Sequence, residues 1–211
     1  MKSRLLLLAF AGLWFAFSAH ADVPALFAEH CARCHGADRF GGIGPALLPE
    51  NLERLKRYDA AKTITLGRVG TQMPAFAGKL SGAEVQALVD YLYTPPPKPP
   101  VWDEAKIRAA RVEYVKPGSL PAKPVFSADP MNLFVVVEGG DHHATILDGD
   151  RLEPIARFPT RYAVHGGPKF SHDGRYVYFS SRDGWVSKYD IWNLKMGAET
   201  RAGFNARNLA V

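Results

Sequence analysis

Cysteine is scarce in this chain, and its scarcity limits which sites the chain can build. Of the 211 residues only two are cysteines, Cys31 and Cys34. No second pair exists to complete a four-ligand zinc site. If another group takes both thiols, no structural disulfide remains. Long apolar runs are also rare, because no stretch after residue 21 is apolar enough to span a bilayer.

Charge is only slightly unbalanced. The chain has 26 Lys and Arg against 21 Asp and Glu, and this small basic excess argues neither for nor against an acidic partner. No basic tract is interleaved with aromatic residues, so the sequence gives no indication of nucleic-acid binding. The length exceeds that of one small domain and indicates two units.

Residues 1–21 have the pattern of a secretory signal peptide. Lys2 and Arg4 precede an apolar run from Leu5 to Phe17, and small residues follow in Ala19-His20-Ala21. The apolar run is too short for a transmembrane anchor. We therefore expect cleavage before Asp22 and a mature protein in a bacterial periplasm, without a membrane span.

The cysteine pair lies in the segment Cys31-Ala32-Arg33-Cys34-His35. On a helix the two thiols and the imidazole point from one face, which suits two thioether bonds and an iron ligand of a covalent c-type haem. A thioredoxin-like redox pair, a small disulfide loop and half a zinc site are the alternatives. The redox pair would leave His35 without a role. We predict one haem c, and hence an electron carrier or a redox enzyme.

Residues 22–94 are predicted to form an all-α domain of the class I cytochrome c type, which this region resembles. Ser81 and Glu84 form a capping box before an apolar stripe, which predicts a closing helix that packs across the first one. Met73 precedes Pro74 in a glycine-flanked loop, and the resemblance implies that its thioether is the second iron ligand. The alternative is that Met73 fills the core.

Residues 95–130 are predicted to be a proline-rich linker, a semi-rigid spacer that holds two domains at a set distance and contains a short helix over residues 102–111. From residue 131, short strand-like runs are separated by Asp-Gly pairs, which indicate antiparallel hairpins. The strand clusters at 134–159 and 168–204 have the spacing of propeller blades.

The number of blades is small. About 80 residues suffice for about two blades, whereas closed propellers have about four to eight. We therefore expect an N-terminal fragment of a longer protein, inactive by itself, whose last blade has an unpaired edge. The fold class is an α + β multidomain chain, with an all-α cytochrome c domain at 22–94 followed by the first blades of an incomplete β-propeller at 131–211.

A periplasmic cytochrome c domain joined to a propeller resembles the cytochrome cd1 group, and the resemblance extends over residues 22–211. It is carried by the run from Arg161 to Phe170, which contains Tyr162-Ala163-Val164-His165, and by Ser181-Arg182-Asp183-Gly184-Trp185. In nitrite reductases of this group the Tyr-Ala-Val-His run supplies the proximal ligand of haem d1, a non-covalent tetrapyrrole. The resemblance implies a propeller of the cytochrome d1 type, with His165 on that iron and Arg182 on its carboxylates.

The residues after His165 depart from the nitrite reductases. His-Gly-Gly-Pro-Lys and Arg-Asp-Gly-Trp-Val-Ser-Lys-Tyr-Asp are more similar to the biosynthetic relatives in the group. Those with an N-terminal c-type haem dehydrogenate a propionate of dihydro-haem d1 to an acrylate. The resemblance thus implies a haem-dependent dehydrogenase of haem d1 biosynthesis and denitrification. It passes electrons through haem c to a periplasmic acceptor, and nitrite reductase and other haem d1 assembly proteins are further candidate partners.

Alternatives remain at the level of the residues and of the function. His165 could be a loop histidine bonded to a carbonyl, and Arg182 a surface arginine beside Asp183. His142 and His143 are expected on the surface. The whole protein could be a cd1-type nitrite reductase, or a non-enzymatic electron carrier or tetrapyrrole-binding protein. No catalytic base is identified, and we expect it downstream of Val211.

Overall fold

The computed structural model describes residues 22–162 and 164–211. The predicted signal peptide, residues 1–21, lies outside the described residues. In the described part of the chain, no helix is both long and apolar enough to cross a membrane. The chain has an all-α region followed by an antiparallel β region, as the sequence predicts.

The all-α region comprises α1 (Val23–His30), α2 (Ala32–His35), α3 (Pro49–Leu52), α4 (Arg57–Leu66) and α5 (Gly82–Leu92). The predicted capping box at the start of α5 is confirmed. The backbone N–H of Glu84 donates to the Ser81 hydroxyl at 3.2 Å, and the Glu84 carboxylate accepts from the Ser81 N–H at 2.7 Å. These two bonds satisfy backbone donors at the helix start that have no partner within the helix.

An apolar core joins the first and last of these helices. Phe27 of α1 is buried together with Leu88 and Val89 of α5. The Phe27 ring also lies 5.7 Å from that of Tyr91. The predicted packing of α5 against α1 is therefore confirmed. The cysteine-containing segment follows α1 directly and is positioned by this pair of helices.

The β region consists of two antiparallel sheets. The first contains β2 (Leu133–Glu138), β3 (His143–Asp148) and β4 (Pro154–Pro159), paired in that order. The second contains β5 (Lys169–Phe170), β6 (Tyr176–Ser180), β7 (Trp185–Asp190) and β8 (Lys195–Arg201). Except for Leu133, which lies one residue before the first cluster, the strands β2 to β8 lie within the two predicted strand clusters.

The two sheets share a core. Phe158 of β4 stacks on Tyr189 of β7, with ring centroids 3.7 Å apart, and its edge meets Phe179 of β6. The turn between β6 and β7 contains Gly184, whose positive φ of 89° is accessible to glycine because it has no Cβ atom. The predicted hairpin at Asp183-Gly184 is thereby confirmed.

The segment between the two regions contains α6 (Glu104–Ala109) and β1 (Val112–Glu113). The helix lies inside the range predicted for it. Strand β1 pairs antiparallel with β8, so the predicted open edge of the last blade is wrong over this stretch. The two regions also touch directly, because the Phe40 and Phe204 rings lie 4.5 Å apart. The two regions that the proline-rich segment joins are therefore in contact, and its role as a semi-rigid spacer stays a prediction.

Candidate cofactor sites

The cysteine pair lies at the start of helix α2. Cys31 is the N-cap residue, and the backbone N–H groups of Cys34 and His35 donate to its carbonyl oxygen at 3.1 and 3.0 Å. Both thiols are free and partly buried. Residues 32–35 form one helical turn, and the charge of Cys34 acts on Cys31, which places the two thiols near each other.

The thiol chemistry disfavours a thioredoxin-like redox pair. Burial, with a smaller contribution from Cys34, raises the pKa of Cys31 to about 11. A redox pair of that kind needs a thiol whose pKa is lowered so that the thiolate forms. The described residues contain no cluster of three or more His, Cys, Asp or Glu that could hold a metal ion.

His35 is held in the form that a metal ligand requires. Its Nδ1 atom lies 2.8 Å from the Pro45 carbonyl oxygen, and only an N–H can donate to a carbonyl. The proton therefore resides on Nδ1, and Nε2 keeps its lone pair. Burial lowers the pKa of His35, which favours the neutral ring.

A glycine makes this arrangement possible. A Cβ atom at Gly44 would lie 2.7 Å from Cε1 of His35, so a side chain would displace the ring. The two free thiols and the oriented imidazole together fit the predicted covalent haem, in which Cys31 and Cys34 would hold the porphyrin and His35 the iron.

Met73 lies in the loop between α4 and α5. Its carbonyl oxygen accepts from the Arg68 N–H at 3.0 Å, and its N–H donates to the Thr71 hydroxyl at 3.2 Å. The half-buried side chain packs against the same apolar core as Cys31. This position is compatible with an iron ligand and with core packing alike, so the ligand role stays a prediction.

His165 follows a short bridge between Val164 and Ser181. Its backbone N–H donates to the Ser180 carbonyl at 2.8 Å, and the Ser180 hydroxyl donates to the His165 carbonyl at 2.7 Å. The exposed imidazole has Nδ1 2.8 Å from the Arg207 carbonyl oxygen. As in His35, the lone pair is thereby left on Nε2, which fits a ligand of a tetrapyrrole iron.

A carbonyl bond of this kind also occurs in loop histidines that bind no ligand. The geometry thus makes His165 available to an iron without distinguishing the two interpretations. Glycine again permits the contact, because a Cβ at Gly166 would lie 2.3 Å from the Arg207 carbonyl oxygen.

Arg182 lies in the β6–β7 hairpin and is half-buried. Its guanidinium makes no hydrogen bond or ion pair with the described residues, so its donors remain available to an added carboxylate. Burial raises the pKa of Tyr162, and the positive charge of Arg182 offsets part of this rise. Arg182 is therefore near the segment that leads to His165.

His142 is placed differently from the prediction. It was expected on the surface, but both of its ring nitrogens are buried and lack a hydrogen-bond partner among the described residues. The ring meets that of Tyr162 edge-on at 5.3 Å, and the backbone has a φ of 63°. The sequence carried no signal for this burial, because it results from the packing of a turn against a segment some 20 residues later.

Two family models match the chain. Residues 18–92 match "Cytochrome C oxidase, cbb3-type, subunit III", and residues 128–211 match "Cytochrome D1 heme domain". The predicted fold class, a cytochrome c domain followed by part of a cytochrome d1-type β domain, is thereby confirmed.

Three curated relatives are informative. Dihydro-heme d1 dehydrogenase of Pseudomonas aeruginosa is 59% identical over 99% of this chain and 43% of the relative. Cytochrome c55X of the same organism is 42% identical over 34% of this chain and 60% of the relative. Nitrite reductase of Stutzerimonas stutzeri is only 26% identical, over 79% of this chain and 32% of the relative.

A solved structure agrees with the first of these relatives. Dihydro-heme d1 dehydrogenase NirN in complex with DHE matches with a TM-score of 0.79 and 62% identity, over 89% of this chain and 40% of that chain. The chain thus spans less than half the length of the dehydrogenases that it matches. The resemblance to the biosynthetic relatives in the cytochrome cd1 group is confirmed.

Proposed function

We propose, from the similarity of 99% of this chain to a dihydro-heme d1 dehydrogenase, that it works in a periplasmic c-type cytochrome oxidoreductase of haem d1 biosynthesis. The reaction is the dehydrogenation of a propionate of dihydro-haem d1 to an acrylate. That similarity carries the proposal, and the geometry is compatible with it, because His35 and His165, in two separate regions, both donate Nδ1–H to a carbonyl and leave Nε2 for a metal. One chain thus provides two sites of the kind that such a reaction needs.

The all-α region would hold the covalent haem. Cys31 and Cys34 would form the thioether bonds, and His35 and Met73 would bind the iron. A bound haem c would supply a one-electron redox centre, and a histidine and methionine ligand pair would raise its potential. With both protein ligands on the iron, this site would carry electrons rather than bind the substrate.

The β region would hold the substrate. His165 would bind the tetrapyrrole iron and so orient the ring, which is a positioning role. The free guanidinium of Arg182 suits a carboxylate, because its planar donors match the two carboxylate oxygens. Lys169, whose ammonium group donates to the Gly166 carbonyl at 3.3 Å, adds a weaker positive charge near the same segment.

Electron balance requires an acceptor. Oxidation of the propionate CH2–CH2 group to CH=CH releases two protons and two electrons. The electrons would leave one at a time to a one-electron acceptor protein in the periplasm. Export is supported by the signal-like residues 1–21 and by the attachment of c-type haem outside the cytoplasm. Nitrite reductase, which uses the finished cofactor, is a further partner in denitrification.

The proposal is tested with the full-length, haem-loaded protein that contains this chain, with dihydro-haem d1 and with ferricyanide as the oxidant. We expect the visible spectrum to shift as the acrylate double bond becomes conjugated with the ring. A Cys31→Ala/Cys34→Ala protein without haem c is the control. Turnover of nitrite without this shift would instead indicate a cd1-type nitrite reductase. Tetrapyrrole binding without either reaction would indicate a carrier.

A further inference from the structure

The loop that follows the haem motif lies directly on the β region. The Phe40 ring packs on that of Phe204 at 4.5 Å, and Asn51 of the following helix α3 donates its side-chain amide N–H to the Phe204 carbonyl at 3.3 Å. A Cβ at Gly41 would lie only 3.0 Å from the Cβ of Asp183. The loop thus touches the β6–β7 hairpin one residue away from Arg182.

Arg201, the last residue of β8, connects these parts. Its Nε–H donates to the carbonyl oxygens of Asp183 at 3.0 Å and Gly203 at 3.1 Å. A terminal N–H of the same guanidinium donates to the carbonyl oxygen of Phe40. One planar group therefore joins the haem-motif loop to the hairpin beside Arg182.

The segment between the two regions also contacts Arg201, through Trp102. The Trp102 indole N–H donates to the Arg201 carbonyl at 3.0 Å, and the Trp102 ring lies 5.3 Å from the guanidinium carbon. The centroid of the Phe204 ring also lies 5.3 Å from the guanidinium carbon, and it is 5.2 Å from the centroid of the Trp102 ring. Two aromatic rings thus cover a guanidinium at the point where both regions and their connection meet.

We propose that Arg201 is a positioning residue that fixes the orientation of the haem-motif loop relative to the hairpin carrying Arg182. The contact bears on the chemistry because the two candidate sites exchange electrons, and an exchange of this kind depends on their separation and orientation. The positioning role of Arg201 does not depend on which reaction the protein catalyses. Only the effect of that role on catalysis rests on the proposed function.

The arrangement is specific to arginine. The guanidinium reaches three carbonyl oxygens from one rigid plane, whereas the single ammonium group of lysine is a point donor on a flexible stem. A carbonyl that loses its donor at a partly buried interface is left without a hydrogen-bond partner, which favours opening of the contact. We therefore expect Arg201→Met to release the loop and Arg201→Lys to retain part of the restraint.

The experiment measures the orientation directly in the haem-loaded protein. A nitroxide is attached at Glu153→Cys, a position on the β region with a 71% exposed side chain, and its distance to the ferric haem c iron is measured by pulsed electron paramagnetic resonance. We expect one narrow distance distribution in the parent, its loss in Arg201→Met, and an intermediate width in Arg201→Lys. Lys195→Met removes an exposed positive charge from the same strand and should leave the distribution narrow.

A second readout separates positioning from damage to the haem site. With dihydro-haem d1 bound, the rate of haem c reduction should fall about tenfold or more in Arg201→Met, while the haem c potential stays unchanged. A narrow distribution in Arg201→Met, or in Arg201→Lys if the methionine variant does not fold, overturns the proposal, and so does a shifted haem c potential. If the parent fails to reduce haem c while the distance results hold, the proposed function fails and the role of Arg201 stands.

Discussion

The Nδ1 atom of His165 lies 2.8 Å from the carbonyl oxygen of Arg207, and the bond repeats the one between His35 and Pro45 in the other region. In each case the backbone carbonyl accepts the Nδ1 proton and so leaves the lone pair on Nε2. A glycine next to each contact provides the space for it, Gly166 in one region and Gly44 in the other. The two sites can therefore be tested by adding a single methyl group.

Gly166→Ala should weaken tetrapyrrole binding. The new Cβ would overlap the Arg207 carbonyl and break its bond to His165. Gly167→Ala is the matched control, because Gly167 has a similar positive φ of 73° but nothing within 4 Å of its added Cβ. Spectral titration with the tetrapyrrole should show a loss of affinity in Gly166→Ala that is larger than in Gly167→Ala. Equal losses would mean that backbone strain, rather than the carbonyl bond, is responsible.

Gly44→Ala should disturb the covalent haem site. The added Cβ would meet the His35 ring at 2.7 Å and push the ring away from its bond to Pro45. We expect a lower yield of haem-loaded protein and loss of the low-spin absorption spectrum. Gly82→Ala is the control, since nothing lies within 4 Å of its added Cβ. An unchanged spectrum in Gly44→Ala would contradict the assignment of His35.

Met73→Ala should abolish the weak sulfur-to-iron absorption band of the oxidised protein in the far red. The thioether is the only group of Met73 that can bind iron, and alanine has no replacement for it. The exposed Met131→Ala should leave the band unchanged. If the band persists in Met73→Ala, Met73 does not bind the iron and only packs in the core.

The sequence alone predicts those features of the structure that depend on a few adjacent residues. The turn that brings together Cys31 and His35, the capping box at Ser81 and the hairpin at Asp183-Gly184 each depend on a few adjacent positions, and each was predicted. The pairing of β1 with β8 joins residues nearly ninety positions apart, and no local pattern identifies such a partner. The same limit applies to the reach of Arg201 to Phe40 and to the burial of His142.

Glu199→Gln should destabilise the β region. The buried carboxylate accepts hydrogen bonds at 2.7 Å from Arg161, Ser187 and Tyr114, the last of which follows β1. Loss of the charge from this network should lower the free energy of unfolding by about 1–3 kcal/mol at neutral pH. The exposed Glu104→Gln, which loses a surface pair with Arg108, should cost about 0.5 kcal/mol or less. A denaturant titration of both variants measures the difference.

The Glu199 contribution should also depend on pH. Burial alone would raise the pKa of Glu199, but the hydrogen bonds from Arg161, Ser187 and Tyr114 outweigh it and leave the pKa lowered. A carboxyl group with a lowered pKa in the folded state stabilises the fold above its unfolded-state pKa, and the contribution is lost as the pH falls through the folded-state value. The difference between the parent and Glu199→Gln should therefore shrink on acidification. A difference that is constant with pH would contradict the network.

Tetrapyrrole binding by a His165→Ala variant tests most directly whether the chain has a second cofactor site distinct from the covalent haem. The haem-loaded protein is titrated with dihydro-haem d1, and the exposed His172→Ala serves as the control. We predict an iron–imidazole spectrum in the parent and in His172→Ala, and its loss in His165→Ala with the haem c spectrum unchanged. The same tetrapyrrole spectrum in His165→Ala would contradict the account.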